Sequence, residues 1–225
     1  FDPRKKVTHD SIKTIHKKCI MHELDNSGET LKHGHLDHLK DVAHGLDGIV
    51  IGAGPSLENG FETLKQCNGR ALLCAALQAL PTLYAGGVKP DLVMLIDQEG
   101  AHHHIFEKIP PEWLANITMI YLVCADKKVV ERYPGTRIPC WTEGGVAANL
   151  FPEAFTINPE GNVAVALTKI LHFFGLNRIF FVGQDFGWTD DKSHAAGHHA
   201  ANANIDHETF NIEFGKEEIS GKTTT

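Results

Sequence analysis

The sequence predicts an α/β fold: a mostly parallel sheet with helices on both faces, preceded by a small helical segment. Two observations lead to this prediction. From Asp47 onward, short and continuous apolar runs alternate with helical stretches, and continuous apolar strands are typical of a parallel sheet that is buried on both faces. The composition, with 42% hydrophobic and 22% charged residues in a chain of 225, is that of a globular protein able to bury a core without disulfides.

The first 45 residues are predicted to form a helical segment apart from the sheet. Apolar residues recur at spacings of three to five within residues 8–24 and 29–45, as in amphipathic helices. The sheet domain is then expected to span residues 46–225. Because the chain starts at Phe1 and stops soon after an expected new strand, we expect that domain to be truncated at its carboxyl end.

Five apolar runs are predicted to be strands. They are residues 48–54, 71–76, 91–97, 117–123 and 178–183. Helices are predicted between strands at 56–67 and 77–85, and before the last strand at 161–174, where apolar side chains share one face. Glycines at 86–87 and 175 are expected to end two of these helices.

Charge and cysteine usage argue against several classes of protein. With 28 acidic and 21 basic residues the net charge is -7, which does not favour a nucleic-acid or membrane-surface partner. The five cysteines contain no CxxC pair, which indicates a reducing compartment. No apolar run is long enough to insert into a membrane, and the first residues lack the apolar block of a signal peptide. We therefore expect a cytoplasmic protein.

The first candidate site is the turn that follows the first strand, in GIVIGAGPSLE. Gly52 and Gly54 permit a tight turn and a close ligand approach, and Pro55 suits the first position of a helix. Helix-start amides at Ser56 would attract a phosphate group. Leu57 occupies the third glycine position of a dinucleotide fingerprint, so a nicotinamide cofactor is disfavoured. A plain tight turn and a nucleotide-phosphate site remain, and the second is favoured.

Two acidic residues follow later strands. Asp97 ends a buried strand, where it either caps the next helix or holds a sugar hydroxyl. Asp185 follows the last strand, with His194 in the polar stretch beyond, so an acid, an imidazole and the glycine turn can converge on one crevice. A histidine is suited to take a proton from a hydroxyl near neutral pH. The alternative is that His194 is one solvated histidine among 15.

Histidine clusters raise the alternative of a metal site. His194 and His198 would share one helical face, and other histidines occur at 33, 35 and 38 and at 102–104. Neither an HExxH motif nor a nearby cysteine accompanies them. The sequence therefore predicts no metal centre.

Three segments in order carry a resemblance to a known family. They are IGAGPSLE, GGVKPDLVMLID and EGNVAVALTKILHFFGLNRIFFVGQDFGWTDDKSHAAG. Over about residues 46–200 the chain resembles the motility accessory factors, which are bacterial flagellin glycosyltransferases. Their broader domain family includes archaeal 6-hydroxymethylpterin pyrophosphokinases. The first and third segments also resemble, more faintly, bacterial sialyltransferases that use CMP-sialic acid on a Rossmann-like variant of the GT-A fold.

The resemblance implies a glycosyltransferase with a Rossmann-like nucleotide-binding domain. It would transfer a sialic-acid-like nonulosonic acid, such as pseudaminic or legionaminic acid, from its CMP donor to serine or threonine of flagellin. CMP is a good leaving group, so no cofactor is obligatory. One alternative is an ATP-dependent hydroxymethylpterin pyrophosphokinase, which needs Mg²⁺ on acidic ligands such as Asp97 and Asp185. Another is an inactive nucleotide-binding scaffold, because Leu77 stands where relatives commonly have Asp or Asn.

The resemblance also implies roles for individual residues. The catalytic pair would be His194, matching the histidine that activates the acceptor hydroxyl in sialyltransferases, and Asp185 of the strand-end motif. The nucleotide-binding set would be Gly52, Gly54, Pro55, Ser56, Asp97, Gly161, Asn162, Gly183 and Gln184.

Overall fold

The computed structural model describes residues 17–98, 100–158, 161–185, 194–195, 209–214 and 217–222. Its main sheet has seven strands. They are β1 Asp47–Ile51, β2 Leu72–Ala76, β3 Leu92–Leu95, β4 Thr118–Leu122, β5 Arg137–Thr142, β6 Thr156–Ile157 and β7 Arg178–Val182. Two further strands, β8 Thr209–Phe214 and β9 Glu217–Lys222, pair with each other in an antiparallel ladder.

All neighbouring strands of the main sheet are parallel, in the order β6-β5-β4-β3-β2-β1-β7. The chain therefore moves in one direction from β1 to β6 and then returns to place β7 on the other side of β1. In an open α/β sheet, ligands bind outside the carboxyl ends of the strands near such a reversal. The carboxyl edge is thus the place to look for a site.

Helices connect the strands and lie on both faces. Residues 17–25 form α1, and the later α-helices are α2 Ser27–His33, α3 Phe61–Cys67, α4 Leu80–Ala85, α5 Pro111–Leu114, α6 Lys127–Arg132, α7 Val146–Leu150 and α8 Val163–Phe173. Short 3-10 helices cover Leu36–Leu39, Pro55–Gly60, Leu77–Ala79 and Gly100–Lys108. Within the described part of the chain, no helix has both the length and the apolar character needed to cross a bilayer.

The core explains why the strands are apolar throughout. Val50, Cys74 and Met94 pack in one buried cluster with α8, which contributes Leu167 and Ile170. The neighbouring residues along the same strands point to the other face and join two further buried clusters. Both faces of the sheet are therefore covered along β1 to β4, and the prediction of an α/β, Rossmann-like fold is confirmed.

The strand prediction was incomplete. The five predicted runs correspond to β1, β2, β3, β4 and β7, but β5 and β6 were missed. β5 has the sequence RIPCWT, in which Pro139 lies opposite Tyr121 of β4, and proline argues against a strand in the middle of a sheet. β6 has only two residues, too few to leave an apolar pattern.

The amino-terminal segment is attached to the sheet at its carboxyl edge. Asn26, between α1 and α2, is fully buried, and its Nδ2 donates to the carbonyls of Val123 at 2.9 Å and Ala125 at 2.8 Å. Leu36 is buried in the same cluster as α8. The division between residues 45 and 46 stays a prediction, and residues 1–16 lie outside the described part of the chain.

Candidate functional site

The glycine turn after β1 is bonded directly to the end of β7. The Gly52 N–H donates to the Val182 carbonyl at 2.8 Å, and the Gly54 N–H donates to the Gly183 carbonyl at 2.9 Å. The Ser56 N–H donates to Asp185 Oδ2 at 3.1 Å. The amides predicted to hold phosphate are thus engaged by the chain itself in this structure.

Close packing of these two segments explains why the turn contains glycine. A Cβ on Gly54 would lie 2.7 Å from the Gly183 carbonyl oxygen and would overlap the Asp185 carboxylate. A Cβ on Gly52 would overlap the Gly183 carbonyl and the Gln184 side chain. Pro55 takes the first position of the following 3-10 helix, which is the role that its fixed φ suits. The neighbour that approaches these glycines is therefore the segment 183–185, which follows β7.

The same turn contacts the segment that carries His194. The Ala195 N–H donates to the Ala53 carbonyl at 2.9 Å, and Ala195 is fully buried beside Ile51 and Leu57. His194 is half-buried. The structure therefore brings Asp185 and the His194 segment to the same turn, as the sequence suggested. His198 lies outside the described residues.

A second group of predicted residues meets farther along the carboxyl edge. Asp97, Gly161 and Asn162 line a cavity of about 190 Å³ together with Gln78. Gln78 Nε2 donates to Asp97 Oδ2 at 3.3 Å. Asn162 is the N-cap of α8, because its side chain accepts from the Ala164 N–H at 2.8 Å. The first turn of α8 therefore faces this cavity, and a helix start favours negative charge.

A larger cavity, of about 620 Å³, continues from the first and shares Asp97 and Gly161 with it. We call the two together the carboxyl-edge crevice. Its other walls are the loops after β4 and β5 and one side of α1, which contribute Cys19, Glu23, Cys124, Thr142, Glu143 and Gly145. A volume of this size is within the range of small-molecule sites.

Glu23 holds one wall of the crevice in place. Its carboxylate accepts from the Val146 N–H at 2.9 Å and from the Ala147 N–H at 2.7 Å, so it caps α7 from a distant part of the sequence. Glu23 is 7% exposed. Sequence reasoning missed Cys19 and Glu23, since only the docking of α1 places them beside the later loops, and it missed Glu143 because β5, which precedes it, was not predicted.

A further cavity, of about 610 Å³, is mainly apolar. It lies between α2 and α7, and its walls include Leu31, Trp141, Leu150 and Phe151. Apart from Glu23, which lines both regions, its described lining contains none of the polar groups that converge in the carboxyl-edge crevice. We therefore take the crevice as the candidate site.

Metal ligands are not grouped among the side chains that the structure describes. No set of three or more His, Cys, Asp or Glu residues there is arranged to hold a metal ion. Asp97 and Asp185 follow β3 and β7, which are separated by β2 and β1. At roughly 4.8 Å per strand, their strand ends are about 14 Å apart, too far for one ion to touch both. That the protein needs no metal stays a prediction.

Comparison with known proteins gives a family match and a structural likeness. The model of the family "6-hydroxymethylpterin diphosphokinase MptE-like" matches residues 21–191. An uncharacterized protein of Treponema pallidum (strain Nichols) is 32% identical over 71 residues, which are 30% of this chain and 34% of that protein. The chain thus spans about a third of that relative.

The structural likeness is to the MAf glycosyltransferase from Magnetospirillum magneticum AMB-1. The alignment has a TM-score of 0.58 at 19% sequence identity and covers 76% of this chain and 27% of that protein. At this identity the likeness shows a shared fold.

Proposed function

The chain belongs to the 6-hydroxymethylpterin diphosphokinase MptE-like family, and we propose that within this family it is a glycosyltransferase. We further propose that it transfers a nonulosonic acid from a CMP donor to serine or threonine of flagellin. The observation that supports this most is the crevice with Asp97, Gly161 and Asn162 at the same sheet edge as the His194 segment. The fold shared with the MAf glycosyltransferase is in accord with it.

In this proposal the nucleotide of the donor occupies the carboxyl-edge crevice. Asp97 accepts a hydrogen bond from a sugar hydroxyl, and the first turn of α8, after Gly161 and Asn162, provides backbone amides and a favourable dipole for the phosphate. The crevice, at about 620 Å³ for its larger part, has room for a nucleotide.

His194 acts as the base on the acceptor side. It takes the proton of the serine or threonine hydroxyl while that oxygen attacks the anomeric carbon of the donor sugar. The bond between this carbon and the phosphate oxygen breaks, and CMP leaves with the electron pair. The glycine turn positions the segment that carries His194, because the Ala53 carbonyl accepts from the Ala195 N–H, and Asp185 holds the turn itself by accepting from the Ser56 N–H.

A second candidate is ATP-dependent pyrophosphate transfer to 6-hydroxymethylpterin. The description of the matched family names this activity, and the same crevice would hold ATP. The reaction needs Mg²⁺ beside the phosphates. The separation of the Asp97 and Asp185 strand ends makes glycosyl transfer the better-supported proposal.

Calorimetric titration separates the two. We expect CMP to bind to the protein without metal and Asp97→Asn to weaken that binding roughly tenfold, the effect of losing one charge-assisted hydrogen bond. Preferential binding of ATP with Mg²⁺ would favour the diphosphokinase instead. Failure of both nucleotides to bind at millimolar concentration would point to a scaffold.

The role of His194 is tested by transfer from a CMP-nonulosonic acid to purified flagellin. His194→Ala is expected to lower transfer at least a hundredfold, within the usual range for a lost general base, while CMP affinity stays the same. His172→Ala is the matched control, because His172 is exposed in the last turn of α8. Unchanged turnover by the His194→Ala protein would exclude this role.

A further inference from the structure

Two cysteines meet in the wall of the carboxyl-edge crevice. Cys19 lies on α1 and Cys124 is the second residue after β4, and both line the larger cavity. Their thiol groups are hydrogen-bonded to each other. Both are free cysteines; Cys19 is half-buried and Cys124 is buried. One member of the pair can therefore be reached from the crevice, and the other lies behind it.

Polar neighbours favour a negative charge on Cys19. The Cys124 thiol and Gln98 Nε2, the latter at 2.7 Å, both donate to Cys19 Sγ. These donors lower the pKa of Cys19 to about 7, in spite of its burial and the negative charge of Glu23. The pKa of Cys124 is raised, because its proton is held by Cys19 and its side chain is buried.

The charged side chains among the described residues that line this cavity are acidic. Glu23 lies on the same helix as Cys19, and Asp97 and Glu143 line the same cavity from the loops after β3 and β5. Thr142 Oγ1 donates to Cys124 Sγ at 3.6 Å. The Cys19 thiolate is therefore stabilised by two uncharged side-chain donors, the Cys124 thiol and Gln98, and opposed by the negative charge of Glu23, so its stability depends on the hydrogen bonds.

We propose that Cys19 and Cys124 form a thiol–disulfide exchange site whose substrate is a low-molecular-weight disulfide. The Cys19 thiolate attacks one sulfur of the small disulfide, forms a mixed disulfide and releases one small thiolate. The Cys124 thiol, on losing its proton, then attacks Cys19 Sγ and releases the second small thiol. Both cysteines are oxidised by two electrons in total, and the small disulfide is reduced to two thiols.

The surrounding structure is suited to closing this bond. The two sulfur atoms are already in hydrogen-bonding contact, and closing the bond brings them to the disulfide distance of about 2.05 Å. Asn26 already holds the end of α1 to the carbonyls of Val123 and Ala125, on either side of Cys124. The segments to be joined are therefore fixed next to each other before oxidation.

The test uses the whole chain with oxidised glutathione as the probe and mass spectrometry as the readout. The wild-type protein is expected to lose two hydrogens, and peptide mapping should find a Cys19–Cys124 linkage. Cys124→Ser keeps a hydroxyl donor for Cys19 and should stop at the glutathione adduct. Cys19→Ser should form neither product, and Cys67→Ser, a change at the end of α3, should behave as wild type.

Alkylation of the wild-type protein by iodoacetamide gives a second readout that does not require oxidation. Cys19 is expected to react with a midpoint near pH 7 and, at neutral pH, roughly tenfold faster than a cysteine in an unstructured peptide. The proposal is overturned if the wild-type protein stops at the mixed disulfide, if Cys19→Ser oxidises at the wild-type rate, or if mapping finds another cysteine pair. None of these outcomes depends on nucleotide binding.

Discussion

Two parts of the same sheet edge differ in how they use their backbone groups. At the reversal between β1 and β7, the turn residues Gly52, Gly54 and Ser56 donate to the segment 182–185. Over β3–β6, the edge is open, and cavities of about 190 and 620 Å³ lie beside Asp97 and Gly161. A glycine-rich turn at a strand end thus need not mark the open part of the edge, because glycine also admits a neighbouring chain segment.

The largest effect on stability is expected from adding a methyl group in the closed turn between β1 and β7. Gly54→Ala places a methyl group against the Gly183 carbonyl and the Asp185 carboxylate, so we expect the free energy of unfolding to fall by about 3 kcal/mol, at the upper end for overpacking. Urea denaturation measures this loss.

Gly28→Ala is the control for that experiment. Gly28 lies in α2, and a Cβ added there meets nothing within 4 Å. Alanine favours a helix over glycine by up to about 1 kcal/mol, so stability should be unchanged or slightly higher. Equal effects of the two substitutions would mean that the turn is not closed as described.

A smaller loss is expected where α1 forms the wall of the open crevice. Asn26→Ala removes both hydrogen bonds to the loop after β4 and leaves the Val123 and Ala125 carbonyls without them. We expect a loss of about 2 kcal/mol in the same denaturation experiment. Asn116→Ala, at an exposed residue whose side chain bonds only within its own helix end, should change stability little; an equal loss there would contradict the anchoring role of Asn26.

The smallest effect on stability is expected at the amino-terminal ends of β1 and β7, opposite the glycine turn. Asp47 and Arg178 begin β1 and β7 and form a two-point ion pair, with 2.6 and 3.0 Å contacts. Arg178 lowers the pKa of Asp47, so the pair stabilises the fold above the ordinary aspartate pKa of about 3.9, and the contribution disappears as the pH falls through the lowered value.

Asp47→Asn should therefore be slightly less stable than wild type near neutral pH and equal to it in acid. Thermal melts across this range measure the difference. A difference in melting temperature that widens as the pH falls would contradict a stabilising ion pair between Asp47 and Arg178.

Much of the fold could be predicted from the sequence because most strands are buried on both faces. Runs such as GIVIG and DLVML must be apolar throughout, and β1 to β4 were found in this way. β5 and β6 were missed because one contains Pro139 and the other has two residues. β5 is placed by its pairing with β4, and β6 by its pairing with β5. The local sequence pattern of a segment contains no information about such pairing.

The candidate site could be predicted only where a residue follows a recognisable strand. Asp97, Asp185 and the glycine turn were found by this rule, and the structure places all of them at the carboxyl edge. The separation into a closed and an open region could not be predicted, since it depends on which segment packs against Gly54. Cys19 and Glu23 reach the crevice only because α1 docks there, over a sequence distance of more than 100 residues from the Cys124 and Val146 contacts.

The carboxylate of Asp185 on the Ser56 amide has a consequence for selectivity. An anion that enters at this amide must displace an intramolecular competitor of the same charge, so it gains only the difference between two similar hydrogen bonds. The apparent affinity for simple anions is the intrinsic affinity multiplied by the fraction of molecules in which Asp185 has moved away from the amide. A ligand that also interacts elsewhere along the edge can offset this penalty, whereas free inorganic phosphate cannot, and the turn thereby rejects small anions that are abundant in solution.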